Sequence, residues 1–433
     1  MPLLAAPGVD DVTASGLQYV QLLSKGDFKS AVARSDATMK AALPEDKLKE
    51  TWQALQSQVG SFQKPLQTRA TRVGGFDVAL VTCQFERARL DVKVVFNANR
   101  QVAGLFFMPN TTDGAAAAPP PYAPTNSFRE TNFTVGQSPR ALPGTLTLPV
   151  RQAGGKLPVV LLIHGSGPND RDETVGAIKP FRDLAWGLAA KGIAVLRYEK
   201  RTKEYAVKLA EQGIGKFTVQ QETIEDALSA VRQLRSTHGL DPNRIFVLGH
   251  SLGGTVAPRI AQADRSIAGL IILAGSTRPL EDLIVEQTRY LVSLSGEPSA
   301  AEKARLAAVQ EAAAKVKKLS ASDSASQETL LGAPASYWLD LRAHDPVAIA
   351  KSLPLPCLIL QGGRDYQVTR ADFDGWKAGL ASKPTVTFKL YPALNHLFVA
   401  GEGKSTPAEY EKPGNLDATV IADIAAWVLR SPN

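Results

Sequence analysis

Cysteine is nearly missing: Cys83 and Cys357 are the only two in a chain of 433 residues. They stand far apart, each inside an apolar strand-like stretch, so the pair reads as buried small hydrophobes and excludes a disulfide framework or a redox couple. Long apolar runs are missing too, and no segment approaches the roughly 20 residues a membrane-crossing helix needs. Histidine is scarce, and no two of the five have metal-ligand spacing with a supporting carboxylate, which argues against a zinc site. Lys and Arg total 49 against 42 Asp and Glu, a net charge of +7, but the basic residues are dispersed. The densest groups, Glu199-Lys200-Arg201-Thr202-Lys203 and Lys315-Val316-Lys317-Lys318, are short and read as solvated faces, so no nucleic-acid partner is expected. The start, Met1-Pro2-Leu3-Leu4-Ala5-Ala6-Pro7, lacks a charged n-region and is too short for a signal peptide; it reads as the trimmed start of an exported protein.

The length exceeds what one hydrophobic core usually supports, so two domains are expected. A stretch over 111–127, with Thr111-Thr112-Asp113-Gly114, four alanines and Pro119-Pro120-Pro121, reads as a semi-rigid linker with too little apolar pattern to pack. In residues 1–110, Leu48, Trp52, Leu55 and Val59 recur at helical spacing after Pro44, with Gly60 as a stop. Two shorter helices are expected before them, one ending at Gly26 and one opened by Asp27 as N-cap. The period then changes: Phe76–Val81 and Leu90–Phe96 look like strands, with Gly74-Gly75 and Asn97-Ala98-Asn99 as turns. The result is a small α+β domain without catalytic signal.

The chemistry concentrates downstream. Ser251 lies in Gly249-His250-Ser251-Leu252-Gly253, after the apolar run Ile245–Leu248 and before a helix-compatible stretch. A hydroxyl on such a strand-to-helix turn is lifted clear of its neighbours, and the flanking glycines remove Cβ atoms that would collide there. A serine needs a base, an orienting acid and oxyanion donors. Asp365 follows the run Leu358-Ile359-Leu360 and Gln361-Gly362-Gly363-Arg364; it competes with Asp340, Asp345 and Asp374, but only it sits on a loop straight after a strand. His396 follows the alternating run Val386–Tyr391 and is the candidate base, whereas His164, His238, His250 and His344 have ordinary explanations at strand ends and turns. Upstream, Val159–Ile163 runs into His164-Gly165-Ser166-Gly167, so the backbone N–H groups of Ser166 and Leu252 are the expected oxyanion donors.

Serine, acid and histidine in that order, each after an apolar strand, give the chain its resemblance to the α/β-hydrolase superfamily over about residues 128–433. The segment His164-Gly165-Ser166-Gly167-Pro168-Asn169-Asp170 looks like the bacterial esterase and serine-aminopeptidase-like branch. The cysteine nucleophile of dienelactone hydrolases and the aspartate of haloalkane dehalogenases do not stand at position 251. The resemblance implies an α/β-hydrolase fold with a mostly parallel eight-stranded sheet, helices on both faces and the active site at the strands' C-terminal edge. Gly26-Asp27-Phe28, Trp52 and Cys83-Gln84-Phe85 resemble the uncharacterised NTF2-like domain that precedes some bacterial α/β-hydrolases. That suggests an accessory unit that shapes the substrate entrance, pairs subunits into a homo-oligomer, or is plain support. Proteins of this resemblance are often exported, so an extracytoplasmic mature form is expected.

Within 128–433, runs such as Leu270–Leu273 suit strands buried on both faces, and Ile224, Ala227, Leu228, Val231 and Leu234 form one helical stripe. Between about 276 and 353 there is no strand signal, only helix-like sequence, an insertion where this superfamily commonly builds its lid. Tyr337 and Trp338 are its candidate substrate-lining aromatics, the alternative being ordinary packing. Arg197 and Arg201, just past the strand-like Ile193–Leu196, are placed at the pocket rim as groups that would favour an anionic substrate. The expected function is a serine carboxylesterase acting on small-molecule esters, without metal or cofactor. The alternatives are a serine aminopeptidase or amidase, which needs a group for the substrate's free amine, and a binding protein on a hydrolase scaffold that has lost turnover.

Overall fold

A computed structural model describes residues 9–73, 76–86, 88–109, 119–150, 155–206, 209, 217–294, 296–326 and 328–431. The expected Gly74-Gly75 turn, residues 111–118 of the expected linker and the first eight residues lie outside them. The chain folds as two units, Met1–Asp113 and Gly114–Asn433, each with its own core.

In the first unit, helices Val9–Ser24, Phe28–Ala33, Ala37–Ala42 and Glu45–Val59 precede four antiparallel strands paired in sequence order: β1 (Phe62–Val73), β2 (Phe76–Phe85), β3 (Arg89–Phe96) and β4 (Val102–Pro109). Gly26, at φ +74°, lets the chain turn where an L side chain would be strained, and Asp27 then caps the second helix by accepting Ser30 N–H at 3.1 Å. Trp52 centres the core, its ring 5.8 Å from both Phe85 and Phe107 and 6.0 Å from Phe62. The sequence reading missed β1 and β4. β1 carries Pro65 and several polar residues and is mostly exposed, so its hydrogen bonds to β2 define it and apolar alternation does not.

The second unit is built on eight strands. These are β5 (Phe128–Val135), β6 (Leu142–Pro149), β7 (Leu157–Ile163), β8 (Ala194–Tyr198), β9 (Leu240–His250), β10 (Gly269–Leu273) and, beyond a short ribbon of β11 (Thr329–Leu330) and β12 (Ala333–Pro334), β13 (Cys357–Gly362) and β14 (Val386–Tyr391). Their order across the sheet is β14-β13-β10-β9-β7-β8-β6-β5, parallel from β14 to β8 and antiparallel at β6 and β5. Every residue of β7, β8, β10 and β13 is buried, as parallel strands covered on both faces require. Alternation sorts the faces: Val159, Leu161 and Ile163 meet the helix Glu225–Arg235, while Val160 and Leu162 meet Pro180–Ala189 and Ala418–Arg430. Truncating Leu161, Leu162 or Ile163 to alanine costs roughly 2–5 kcal/mol.

Two expectations are corrected here. The insertion is not wholly helical, because β11 and β12 pair between its helices; at two residues each they are too short to leave a periodic signal. The described part of the expected linker is packed against the second unit. Ala123 is buried and Tyr122 donates its hydroxyl to Leu416 O at 2.7 Å, a contact that lies 294 residues away in sequence and has no local signature.

Candidate active site

β9 delivers Ser251 at its C-terminal end with φ 52° and ψ −120°, a left-handed conformation for a non-glycine residue, and the helix Leu252–Ala263 starts immediately after. Its N–H is tied to Leu273 O at 2.9 Å, which holds the turn to β10. A Cβ on Gly249 would collide with the Gly253 carbonyl, and one on Gly253 with the Ile163 carbonyl, so both glycines are needed for close backbone approach.

The candidate acid and base come from neighbouring strand ends. Asp365 follows β13, and its Oδ1 accepts the N–H groups of Gln367 at 2.8 Å and Val368 at 3.0 Å. Its Oδ2 accepts Gln361 Nε2 at 3.1 Å and lies 2.7 Å from His396 Nδ1. An ionised carboxylate only accepts, so Nδ1 carries the proton and Nε2 is left with its lone pair. His396, on the loop after β14, is 4% exposed and lines a cavity of about 570 Å³ together with Ser251. Neither Ser251 Oγ nor His396 Nε2 makes a hydrogen bond among the described residues; a nucleophile–base hydrogen bond is often long before substrate binds. The competing acids are used otherwise. Asp340 pairs with Arg259 at 2.8 Å, Asp345 caps the helix Pro346–Ser352, and Asp374 pairs with Arg370 on an exposed face.

Ser166 and Leu252 line the same cavity. Ser166 N–H has no acceptor among the described residues, and Leu252 N–H opens a helix, where no intrahelical acceptor exists. Tyr337 and Trp338 also line it, beside Leu280, Leu283 and Ile284 of the insertion. Arg201 does not. It is clamped in two-point contact with Asp226 at 2.6 and 2.9 Å, since a buried guanidinium must be neutralised. Arg197 is likewise turned away, onto Glu130 at 2.8 Å and Asp172 at 2.9 Å. The expected rim arginines therefore lie outside the cavity.

Sequence reasoning missed three charged residues. Glu173, at φ 51°, is 2% exposed; its Oε1 accepts Gly165 N–H at 2.6 Å and its Oε2 lies 2.9 Å from His250 Nδ1. Burial opposes charge on both partners, but the Glu173 carboxylate raises the His250 pKa above its ordinary value and His250 lowers that of Glu173. Lys200, expected on a solvated face, is 2% exposed, with Nζ 2.7 Å from Gly165 O and 3.3 Å from Glu222 Oε1. Glu222 also accepts the Tyr337 hydroxyl at 2.7 Å. No local pattern marks these residues, because each meets a partner from a distant segment. By contrast, the His164 ring meets a backbone oxygen, Asp170 O at 3.1 Å, and burial pushes it down to about 4. Among the described residues, no three His, Cys, Asp or Glu side chains cluster as metal ligands, and no helix is long and apolar enough to cross a membrane.

Residues 158–402 match the family described as serine aminopeptidase, S33, and residues 17–105 match a family described as protein of unknown function (DUF3887). Over 412 residues the chain is 39% identical to esterase EstD of Thermotoga maritima, covering 95% of this chain and 94% of that one. Among solved structures, an esterase of Pyrococcus furiosus covers 71% of this chain and 93% of its own at 14% identity, with a TM-score of 0.43. Est1E from Butyrivibrio proteoclasticus covers 69% and 98% at 16% identity, also with a TM-score of 0.43.

Proposed function

The chain belongs to the serine aminopeptidase S33 family of α/β-hydrolases, and from that premise we propose that it is a serine esterase in which Ser251, His396 and Asp365 act as nucleophile, base and orienting acid. The observation that carries this reading is the 2.7 Å contact of His396 Nδ1 with Asp365, which leaves Nε2 spare in the cavity that Ser251 lines. His396 takes the Ser251 proton as the serine oxygen bonds the ester carbonyl carbon. The carbonyl oxygen becomes an oxyanion, received by Ser166 N–H and Leu252 N–H. His396 then returns the proton to the leaving alkoxide, and water, activated by the same imidazole, releases the acid from the acyl-serine. The helix N-terminus at Leu252 favours the negative charge through every step.

Two features favour a neutral ester of small or medium acyl length. Leu280, Leu283, Ile284 and Trp338 supply an apolar wall. The carboxylates that line the cavity, Glu173 and Glu222, are already engaged by His250 and by Lys200 with Tyr337, which leaves neither free for a substrate amine. The test is turnover of p-nitrophenyl esters of several chain lengths beside aminoacyl p-nitroanilides, with fluorophosphonate labelling. Ester turnover that disappears in Ser251→Ala supports the proposal. Preference for the anilides would make the protein an aminopeptidase, and failure to label would leave a binding protein.

A further inference from the structure

The peptide joining Gly165 to Ser166 is gripped at its carbonyl by Lys200, which lies outside the lining of the substrate cavity, and by Asn169, which belongs to that lining. In a trans peptide the carbonyl and the following N–H point oppositely in one plane, so whatever fixes Gly165 O also aims Ser166 N–H. Gly165 O accepts Lys200 Nζ at 2.7 Å and Asn169 Nδ2 at 3.1 Å, while Gly165 N–H donates to Glu173 Oε1 at 2.6 Å.

A buried ammonium is a costly way to satisfy a single carbonyl, since taking the charge out of water is repaid only by close pairing. The pairing is present: Lys200 leaves the end of β8 and meets Glu222 Oε1 at 3.3 Å. Glu222 stands on a single π-helical turn, Gln220–Ile224, a local form common at functional sites. Thr202 and Tyr337 complete its shell, Tyr337 reaching it from the insertion helix Ala335–Arg342. A continuous line of polar contacts thus runs from the insertion to the Gly165–Ser166 peptide.

We propose that Lys200, held by Glu222, is a positioning residue for ester hydrolysis, orienting the Gly165–Ser166 peptide so that Ser166 N–H faces the oxyanion before it forms. The inference rests on the reading of Ser251 as nucleophile and Ser166 as donor. The cation also draws electron density toward Gly165 O, which strengthens the N–H at the other end of the same amide. Such an arrangement acts on the charged transition state and leaves ground-state binding alone.

The experiment uses the full chain with Lys200→Met combined with Glu222→Gln, so that neither charge is left buried alone, and separately Asn169→Ala, which removes the second grip on Gly165 O together with the same amide's contact to Ser166 O at 3.1 Å. Each is assayed for kcat and KM on a p-nitrophenyl ester and for inhibition by a trifluoromethyl ketone. With that ketone the Ser251 oxygen bonds the carbonyl carbon, its proton passes to His396, and the former carbonyl oxygen carries the negative charge. Losing an oxyanion donor outright costs about 10²–10³ in kcat; misaiming it should cost about 10–100-fold in the double variant and about 3–10-fold in Asn169→Ala. KM should change by less than about twofold, and ketone affinity should fall in proportion to kcat. Wild-type kcat in either folded variant, or a raised KM with unchanged ketone affinity, would overturn the proposal. Should the double variant not fold, Asn169→Ala decides alone. Failure of the wild type to label at Ser251 would instead sink the nucleophile reading.

Discussion

Two buried carboxylate–imidazole pairs lie side by side in the second unit, the rings of His250 and His396 being 4.7 Å apart. In the first, Asp365 holds His396 Nδ1 and, among the described residues, Nε2 has no hydrogen-bond partner. In the second, Glu173 Oε2 lies 2.9 Å from His250 Nδ1, an ion-pair contact without hydrogen-bond alignment, while Nε2 faces His396 O at 3.0 Å. The residue types are nearly the same and so is the burial; what differs is whether a ring nitrogen is left over. An imidazole with both nitrogens committed cannot take a proton from a serine without breaking a buried contact, whereas His396 can. The second pair instead braces the first, since His250 touches the His396 backbone and Glu173 grips Gly165.

The sharpest way to break this comparison is to remove each histidine. His396→Ala, like Ser251→Ala, should lower kcat by about 10⁶-fold in ester hydrolysis with the protein still folded, and comparable turnover in His396→Ala would end the assignment. Next comes the proposed acid: Asp365→Asn keeps the shape but removes the preference for one tautomer, and kcat should fall about 10⁴-fold in the same assay. In the bracing pair the loss should appear in stability. His250→Gln leaves Glu173 buried without its partner and should cost about 3–5 kcal/mol in denaturant unfolding, most of it regained when Glu173→Gln is added.

The same pair has a pH signature. The folded-state pKa of His250 is raised above 6.5, so its stabilisation is fully present below that unfolded value and is lost as pH rises through the higher folded one. Glu173 is lowered from 4.5, so its share is present above that value and is lost as pH falls through the folded one. The stability gap between wild type and His250→Gln should therefore be widest at about pH 4.5–6.5 and narrow on either side; a gap that widens toward alkaline pH would contradict the pairing. The smallest effect on activity is expected from a third buried pair. Arg201→Gln should change kcat/KM by less than about threefold for anionic and neutral esters alike, because Arg201 faces Asp226 and not the cavity.

Much of the scaffold is written in local pattern. The runs Val159–Ile163, Ile245–Leu248, Leu270–Leu273 and Leu358–Leu360 all lie within strands of the sheet, and Gly60 ends its helix at φ +83°. β1 escaped because a mostly exposed, polar strand carries no such period, and β11 and β12 because two residues cannot show one. The candidate site residues divide the same way. Ser251, Asp365 and His396 announce themselves by following strands, and the cavity brings Ser251 and His396 together with Tyr337 and Trp338. Lys200 and Arg201 looked like part of a solvated basic cluster and are both buried.

The chain's local order was enough to specify where the buried central strands lie and which serine stands on a sharp bend, because sterics at glycine and apolar periodicity act over a few residues. Packing alone decided which histidine keeps a spare nitrogen, that Arg201 turns from the cavity to Asp226, and that Lys200 grips Gly165 across 35 residues of sequence. Those outcomes depend on partners from distant segments and on the cost of burying an unpaired charge, and neither quantity exists until the sheet has formed.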